Sequence, residues 1–390
     1  MKAFTRPLDH DVDLNAVARG DGFLFVRDGV GVAGRGVAAR GAAVEIEQLL
    51  ADIECVDEVG VPGGGPVAFG ALPFRPDARG ELLVPRVVVG KAADGTRWLT
   101  TIDEADEALD APPPRPSAVG FTVRPGFDPD AFRAAVTRGR DAVRAGRLDK
   151  VVLARDVHVE STAPLDVHAI LLRLRASFGS SYRFSIDGFV GASPELLVAR
   201  QGDIVRSHPL AGTAARTGDP ATDARLAAEL ISSMKDQIEH RVVIDMVHDT
   251  LLPWCSYLDW EAEPSIITVA NVQHLGTAVE GRLSHPVPSV LELVRALQPT
   301  PALGGYPRAA ALAMIAELEP FDRGRYGGAV GWVDAVGNGT WAVGIRAASI
   351  DGARAQLFAG VGVVAGSDPD AELAETQAKF QAMLSAIVRP

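Results

Sequence analysis

Two acidic pairs on separate predicted helices are the first residues in this sequence that could carry chemistry. Asp236 and Glu239 are three residues apart on one helix, and Glu372 and Glu375 have the same spacing on another. Because residues i and i+3 share a helix face, each pair can present two carboxylates in one direction. Facing carboxylates would suit Mg²⁺, which binds a few protein oxygens and keeps positions for water or substrate. The alternative is two solvated acidic faces, and each helix taken alone favours that alternative.

A carboxylate within an apolar run is the second candidate. Glu195 stands in GFVGASPELLVAR, residues 188–200, whose apolar residues predict buried strands on either side of it. Burial of an unpaired carboxylate is costly, so such a group is usually paired, bound to a metal or protonated. The sequence pattern leaves these three states open.

Two cations and a histidine could meet an anionic group. Arg346 interrupts the apolar strand WAVGIRAASI, and a guanidinium in such a place usually meets a carboxylate of the protein or of a ligand. Lys379 lies one helical turn beyond Glu375, so it can face the same cavity or form an i, i+4 pair. His274 is one of several scattered histidines without metal-ligand spacing, and taken alone it is better explained as structural.

A glycine-rich segment, LFAGVGVVAGSDPD at residues 357–370, runs from a predicted strand to a predicted helix N-terminus. The free backbone N–H groups of such a terminus favour an anion. The glycines are equally consistent with a tight turn from strand to helix. Their spacing differs from the dinucleotide-binding fingerprint, so a Rossmann interpretation is weak.

Three helices are predicted around these residues from caps and apolar periodicity. The first begins at Asp128 and ends near Gly146, the second runs continuously over residues 220–253, and the third is capped by Asp368 near the C-terminus. The second and third carry the acidic pairs. Their bounds therefore decide whether the carboxylates can face each other.

Antiparallel strands are predicted between and after the helices. Lys150 stands at the start of the strand KVVLARDVHVE, and turns at Asn338–Gly339 and Asp351–Gly352 predict three antiparallel strands near the C-terminus. Strands interleaved with long helices indicate the α+β class. A proline tract, PPPRP at 112–116, is the best candidate for a domain boundary, although a surface loop inside one domain is favoured.

Composition limits the classes of function. The chain has 390 residues, 47% hydrophobic and 23% charged, which is an ordinary globular composition. A net charge of −12 argues against general affinity for nucleic acid or anionic membranes. Cys55 and Cys255 lie far apart without a CxxC pattern, so neither a disulfide framework nor a zinc cluster is expected. Without a signal-peptide pattern or a long apolar run, we expect a cytoplasmic protein that does not bind membranes.

A series of motifs resembles one known family. The motifs are PELL, HPLAGTAAR, KDQIEH, QHLGT, QPTPALGG, ELEPFDRGRYGGAVGW, and GVGVV followed by SDPDAELAET. In this order they resemble the chorismate-utilising enzymes, which include isochorismate, salicylate, anthranilate and aminodeoxychorismate synthases. The resemblance is strong over residues 115–390 and weaker over residues 1–110, where VAFGALPF fits.

The resemblance implies a fold and a metal site. The fold would be a single α+β domain over residues 1–390, with two large antiparallel sheets packed face to face and helices outside. The chorismate-binding catalytic region would be 115–390, and the role of 1–110 beyond packing is open. Mg²⁺ would be bound by Glu239 and Glu375, supported by Asp236 and Glu372 directly or through water.

The resemblance also implies the substrate contacts and the reaction. Chorismate would be contacted by Gly212, Thr213, His274, Ala302, Leu303, Tyr326, Ile345, Arg346, Gly360, Gly362 and Lys379. Lys150 would be the general base that activates water for attack at C2 of chorismate. Glu195 would be the general acid on the departing C4 hydroxyl, since burial raises the pKa of a carboxyl. The expected product is isochorismate, which leaves both siderophore and menaquinone biosynthesis open as its use.

Three other functions remain alternatives. Salicylate synthase shares Lys150 and Glu195 but also eliminates pyruvate; Tyr326 favours it, whereas Ile345 and the short N-terminal region favour isochorismate synthase. Amine transfer is disfavoured because Ala211 stands where aminodeoxychorismate synthases have a lysine. An inactive chorismate-binding module would be expected to have lost one of the catalytic residues. We expect a monomer that needs no glutamine amidotransferase subunit.

Overall fold

The computed structural model describes residues 1–103, 120–269 and 272–389 of the chain. The proline tract at 112–116 lies outside these described residues. The helices are α1 (Leu14–Ala18), α2 (Ile46–Ala51), α3 (Pro129–Arg144), α4 (Val167–Phe178), α5 (Pro220–Ser232), α6 (Met234–Leu251), α7 (Val290–Leu297), α8 (Arg308–Leu318) and α9 (Pro369–Ile387).

The strands precede, separate and follow these helices. In chain order they are β1 (Lys2–Pro7), β2 (Phe23–Arg27), β3 (Val30–Arg35), β4 (Ala39–Ala42), β5 (Glu54–Asp57), β6 (Val67–Ala71), β7 (Glu81–Val84), β8 (Val87–Lys91), β9 (Arg97–Ile102), β10 (Phe121–Pro125), β11 (Lys150–Ser161), β12 (Tyr182–Ile186), β13 (Phe189–Ser193), β14 (Leu196–Gln201), β15 (Ile204–His208), β16 (Leu210–Ala215), β17 (Cys255–Trp260), β18 (Ser265–Thr268), β19 (Val272–Gly276), β20 (Val279–Leu283), β21 (Gly305–Tyr306), β22 (Ala329–Asp334), β23 (Gly339–Val343), β24 (Ala347–Asp351) and β25 (Arg354–Val363). A short 3₁₀ turn, Leu252–Trp254, follows α6.

The helix bounds follow local capping. Asp128 caps α3 by accepting hydrogen bonds from two backbone amides, and Asp368 caps α9 in the same way through Ala371, as predicted. The prediction of one continuous helix over 220–253 is wrong, because Ser233 has extended backbone angles and divides it into α5 and α6. The Ser233 hydroxyl accepts from the Asp236 amide, so the serine starts a new helix instead of continuing the old one.

Within the described residues, the strands form sheets of thirteen, nine and three strands. The thirteen-stranded sheet has the order β10-β11-β25-β24-β13-β12-β2-β3-β8-β9-β1-β5, with β21 paired to β11. The nine-stranded sheet has the order β17-β20-β15-β14-β23-β22-β6-β7-β4, and the small sheet is β16-β19-β18. Pairings between the described strands are antiparallel except for β1 with β5.

The two large sheets pack face to face, as predicted. Phe25 and Val88 of the thirteen-stranded sheet share one buried cluster with Phe69 and Trp332 of the nine-stranded sheet. On the outer faces, α4 and α9 cover the first sheet, and α2 and α7 cover the second. This is the α+β arrangement that the mixture of strands and helices indicates. No helix in the described parts of the chain combines the length and the apolar character needed to cross a membrane.

Residues 1–103 supply strands to both large sheets. The strand β2 pairs with β12 of the thirteen-stranded sheet, and β6 pairs with β22 of the nine-stranded sheet. The N-terminal part therefore extends the same two sheets that the later residues build.

Two of the places where the chain crosses from one large sheet to the other come from neighbouring strands. One crossover, Pro194–Glu195, joins β13 to β14, and the other, Gly344–Arg346, joins β23 to β24. The prediction of three antiparallel strands near the C-terminus is therefore wrong in its middle strand, which breaks and changes sheet. Arg346 lies in this break with φ of 51°, in the left-handed region that few residues other than glycine adopt.

Candidate active site

One cavity of about 290 Å³ brings together every residue predicted for the site. It lies beside the two crossovers and is bordered by α6, α9 and the small sheet. Its lining contains Lys150, Glu195, Gly212, Thr213, Asp236, Glu239, His274, Ala302, Leu303, Tyr326, Ile345, Arg346, Gly360, Gly362, Glu372, Glu375 and Lys379. The motifs that lie far apart in the sequence thus converge on a single concave surface.

Lys150 is buried at the start of β11 and faces a predicted metal ligand. Its Nζ donates to Glu239 Oε1 of α6 at 2.6 Å. Gly362, on the neighbouring strand β25, makes room for it: a Cβ at that position would lie 2.7 Å from Lys150 Cε. The Lys150 side chain therefore lies against Gly362, where no side chain obstructs it, and its amine reaches the cavity.

Glu195 lies at the crossover from β13 to β14 and is 3% exposed. Its backbone amide donates to Ser193 Oγ at 3.3 Å, which helps to fix the turn. Burial raises the pKa of its carboxyl to about 8, while a backbone hydrogen bond with Leu210 and the charge of Lys150 lower it to a smaller extent. Of the three states that the sequence left open, the protonated acid fits this environment at neutral pH.

Arg346 and His274 form a buried polar pair on another wall. Arg346 Nη2 is 3.4 Å from His274 Nε2, and His274 Nδ1 is 3.0 Å from the carbonyl oxygen of Gly212. Because a carbonyl can only accept, Nδ1 carries the proton and Nε2 accepts from the guanidinium. Burial, with the charges of Arg346 and Lys379, lowers the pKa of His274 to about 3, so its imidazole is neutral.

The guanidinium of Arg346 retains hydrogen-bonding capacity. Its Nη1 is buried without a hydrogen-bond partner among the described residues, and burial lowers the pKa of the group. A buried donor without a partner is costly, and an anionic ligand group would satisfy it. The neutral His274 thus accepts a hydrogen bond from Nη2 of Arg346, while Nη1 of the same guanidinium stays available to a ligand.

The four predicted acidic residues face the same cavity from two helices. Asp236 and Glu239 project from α6, and Glu372 and Glu375 project from α9, so the alternative of two solvated faces is wrong. Hard carboxylate oxygens of this kind fit Mg²⁺. Across the described ranges, however, no group of three or more acidic, histidine or cysteine side chains is gathered closely enough to hold a metal ion. Glu239 instead contacts Lys150.

Lys379 both forms an ion pair with Glu375 and lines the cavity, which were the two alternatives predicted for it. Its Nζ forms an i, i+4 ion pair with Glu375 Oε1 at 2.7 Å and donates to the carbonyl oxygen of Gly360 at 2.8 Å, while the residue also lines the cavity. A second cation is therefore fixed against β25, on the same cavity as Arg346.

The glycines of β25 lie in the strand and not in a turn. Gly360 and Gly362 are both within β25, which ends at Val363, so the interpretation as a tight turn is wrong for these two residues. A Cβ at Gly360 would lie 3.1 Å from the hydroxyl of Tyr326. The Tyr326 ring stacks on Phe358 with 5.2 Å between centroids, and burial raises the pKa of its hydroxyl to about 12.

Sequence reasoning missed part of the apolar lining. The lining residues that were not predicted as site residues are Val152, Pro194, Leu210, Ala211, Phe358 and Ala359. Phe358 could have been found, because alternate residues of a strand share a face and Gly360 and Gly362 were already candidates. Val152 follows from Lys150 by the same rule.

The comparison with protein families identifies the class. The protein-family model described as "Chorismate binding enzyme" matches residues 80–388, and the chain belongs to this family. Among curated proteins, isochorismate synthase DhbC of Bacillus subtilis is 39% identical over 333 residues, which cover 83% of this chain and 81% of DhbC. Isochorismate synthase EntC of Escherichia coli K12 is 36% identical over 326 residues, which cover 82% of this chain and 81% of EntC.

Solved structures agree with this assignment. The crystal structure of DhbC from Bacillus anthracis matches with a TM-score of 0.83 and 33% identity, covering 96% of this chain and 98% of that one. MenF of Escherichia coli, the menaquinone-specific isochorismate synthase, matches with a TM-score of 0.85 and 25% identity, covering 98% of this chain and 94% of that one. The relatives therefore share the fold from end to end.

Proposed function

We propose that this protein is an isochorismate synthase, an isomerase that converts chorismate to isochorismate. One observation carries the proposal: a buried lysine and a buried carboxyl, Lys150 and Glu195, line the same cavity in a chain whose relatives include isochorismate synthases. A base and an acid on one cavity are what the exchange of a hydroxyl between two ring carbons requires.

Lys150 would act at C2 of chorismate, where water adds, and Glu195 would act at C4, where the hydroxyl leaves. Lys150 would accept a proton from the water that adds at C2 of chorismate. The ring double bonds shift as the C4 hydroxyl leaves, and Glu195 would donate the proton that makes this group water. One water enters and one departs, so the product is an isomer of the substrate. The pKa of about 8 keeps Glu195 protonated and able to donate at neutral pH.

Binding of a dianionic substrate needs local positive charge, because the chain as a whole is acidic. Arg346 and Lys379 supply two cations on the cavity wall. The unpartnered Nη1 of Arg346 supports a role for this residue in holding a substrate carboxylate. Gly360 and Gly362 leave room for the Tyr326 hydroxyl and the Lys150 side chain beside this part of the cavity wall. The polar groups of Gly212, Thr213 and His274 complete this side of the cavity.

We propose Mg²⁺ as the cofactor. Glu239 and Glu375 would bind it, with Asp236 and Glu372 in supporting positions, and their donor chemistry fits a hard divalent cation. The bound ion would supply positive charge for a substrate carboxylate. Glu239, which contacts Lys150, would thus place the metal ion next to the proposed base.

The other expectations remain predictions. They are a single domain, a monomer, a cytoplasmic location, no amidotransferase subunit, and no binding to nucleic acid or membranes. Tyr326 lines the cavity beside Leu303 and Ile345, and it is the residue that keeps salicylate synthase as the alternative function.

Product analysis tests the proposal. Purified protein is incubated with chorismate and Mg²⁺ without ammonia, and the products are separated by chromatography. Isochorismate as the end product is the expected result. Salicylate with pyruvate would replace the proposal with salicylate synthase, and unchanged chorismate would contradict an enzymatic role. Repeating the reaction with ammonium salt excludes amine transfer if no aminated product forms.

A further inference from the structure

A buried ion pair lies just outside the cavity, after α8. Glu319 and Arg323 have side chains that are each 2% exposed, and Arg323 Nε donates to Glu319 Oε2 at 2.8 Å, with a second contact through Nη2. The Arg323 guanidinium also lies 4.3 Å from the centroid of the Phe74 ring. Neither residue lines the cavity. Removing two charges from water is costly, so such a pair calls for a specific explanation.

The pair fills a gap along one edge of β11. On this side β21 pairs with Lys150 and Val151, and β10 pairs with residues 157–161, so no described strand covers the residues between them. Arg323 Nη2 donates to the carbonyl oxygen of Val152 at 2.7 Å, and the Ala154 amide donates to Glu319 Oε1 at 2.7 Å. Two side chains thus make the hydrogen bonds that a neighbouring strand would otherwise make.

The same pair reaches a second wall of the cavity. Arg323 Nη1 donates to the carbonyl oxygen of Leu303 at 2.9 Å. Leu303 and Val152 both line the cavity, and Lys150 is two residues before Val152 on the same strand. A single guanidinium therefore connects the strand that carries Lys150 to the turn that carries Leu303.

We propose that Glu319 and Arg323 are positioning residues that act in place of a missing strand, holding Lys150 and Leu303 at fixed places on two walls of the cavity. This inference rests on the proposed function for its kinetic consequence. It concerns placement only, because neither residue reaches the substrate space. A displacement of the base by about 1 Å can lower turnover by about 100-fold, whereas substrate binding depends on other residues.

Kinetics of conservative variants test the proposal. Arg323→Lys keeps the charge but cannot donate to Glu319, Val152 and Leu303 together. We expect kcat to fall by about 10- to 100-fold while KM for chorismate changes by less than about threefold. Glu319→Leu removes the acceptor of the Ala154 amide and should behave similarly. Glu319→Gln keeps an acceptor oxygen and should recover a large part of kcat.

A control separates placement from general loss of stability. Leu99→Ala creates a cavity in the core at β9, which contributes no residue to the active-site lining, and should lower thermal stability without changing kcat of the folded enzyme. If Arg323→Lys and Glu319→Leu lower the melting temperature but leave kcat unchanged, as expected for Leu99→Ala, the pair is purely structural and the proposal is wrong. If Glu319→Leu does not fold, the comparison of Arg323→Lys with Glu319→Gln still decides.

Hydrogen exchange provides a readout that does not depend on activity. Exchange in a peptide covering residues 150–156 should be faster in Glu319→Leu than in wild type and in Leu99→Ala, because the Ala154 amide loses its acceptor. Unchanged exchange there would overturn the positioning proposal. A wild-type protein that forms no isochorismate would instead overturn the proposed function, so the two failures are distinguishable.

Discussion

Lys150 and Glu239 form an ion pair across the cavity, with 2.6 Å between Nζ and Oε1. The residue proposed as the base is thus in contact with the residue proposed as a metal ligand. Because one carboxylate cannot fully satisfy both a lysine amine and a divalent cation, the contact of Glu239 with Lys150 and metal binding by Glu239 would be coupled. This coupling gives separate expectations for the two residues.

Lys150→Ala should abolish turnover while chorismate still binds. The variant removes the proposed base but leaves Arg346 and Lys379, so kcat should fall by at least about 100-fold. Chromatographic rates and calorimetric titration with chorismate measure the two effects. Lys91→Ala is the matched control, since Lys91 pairs with Asp11 at the surface away from the cavity. Full activity of Lys150→Ala would refute the role as base.

Glu239→Ala should weaken the Mg²⁺-dependent activity. Loss of one carboxylate ligand should raise the Mg²⁺ concentration for half-maximal rate by about 10-fold or more. Activity is measured over a Mg²⁺ series at saturating chorismate. Glu229→Ala serves as control because Glu229 is exposed on α5 and pairs with Arg225. An unchanged Mg²⁺ response in Glu239→Ala would count against Glu239 as a ligand.

Glu195→Gln should remove the proton donor and with it the alkaline limb of the pH profile. In the wild type, the carboxyl is protonated below its pKa of about 8, so kcat/KM should decline as pH rises above that value. The glutamine variant should have a kcat lower by about 100-fold or more and no such decline. A wild-type rate that stays constant from pH 7 to 9.5 would contradict Glu195 as the acid.

The same carboxyl should make stability depend on pH. In the unfolded chain Glu195 ionises near its ordinary pKa of 4.5, whereas in the fold it ionises near 8. Its contribution to stability is therefore fully present below about pH 4.5 and is lost as pH rises toward 8, by about 1.4 kcal/mol per pH unit at most. Glu195→Gln lacks this loss, so its melting temperature should rise relative to wild type between pH 5 and 8. Parallel curves for the two proteins would contradict the raised pKa.

Arg346→Lys should weaken chorismate binding more than it slows the reaction. A lysine keeps the charge but cannot contact His274 and a substrate carboxylate with one planar fork. We expect KM to rise by about 10-fold or more with a smaller change in kcat. Arg325→Lys is the control, because Arg325 donates to backbone carbonyls of residues 186 and 187 outside the cavity. Equal KM values in the two variants would argue against substrate contact by Arg346.

Local chemistry determined which parts of the fold were predictable from the sequence. Asp128 and Asp368 were recognised as caps because a capping bond forms within three residues of the cap. The i, i+3 spacing predicted that Asp236 and Glu239 share one helix face and that Glu372 and Glu375 share another, and both faces line one cavity. The resemblance to a family, and not the pattern alone, assigned roles to these side chains.

The errors occurred where tertiary contacts decide between two local solutions. Ser233 could continue a helix or cap a new one, and it caps α6. The apolar residues on both sides of Arg346 read as one strand, because nothing in the alternation marks the point where the chain changes sheet. The ion pair of Glu319 with Arg323 could not be predicted either, since its hydrogen bonds to β11 join residues that are more than 160 positions apart in the sequence.

The pairing of β2 with β12 and of β6 with β22 has a consequence for how this protein can be divided. A fragment lacking residues 1–103 would expose two unpaired strand edges at once, one from each large sheet. Exposed edges of this kind invite association with other chains. The shortened protein would therefore be expected to precipitate, even though the cavity residues lie outside the deleted part. Co-expression of the two fragments would allow β2 to pair with β12 and β6 to pair with β22, and should restore a dissolved complex.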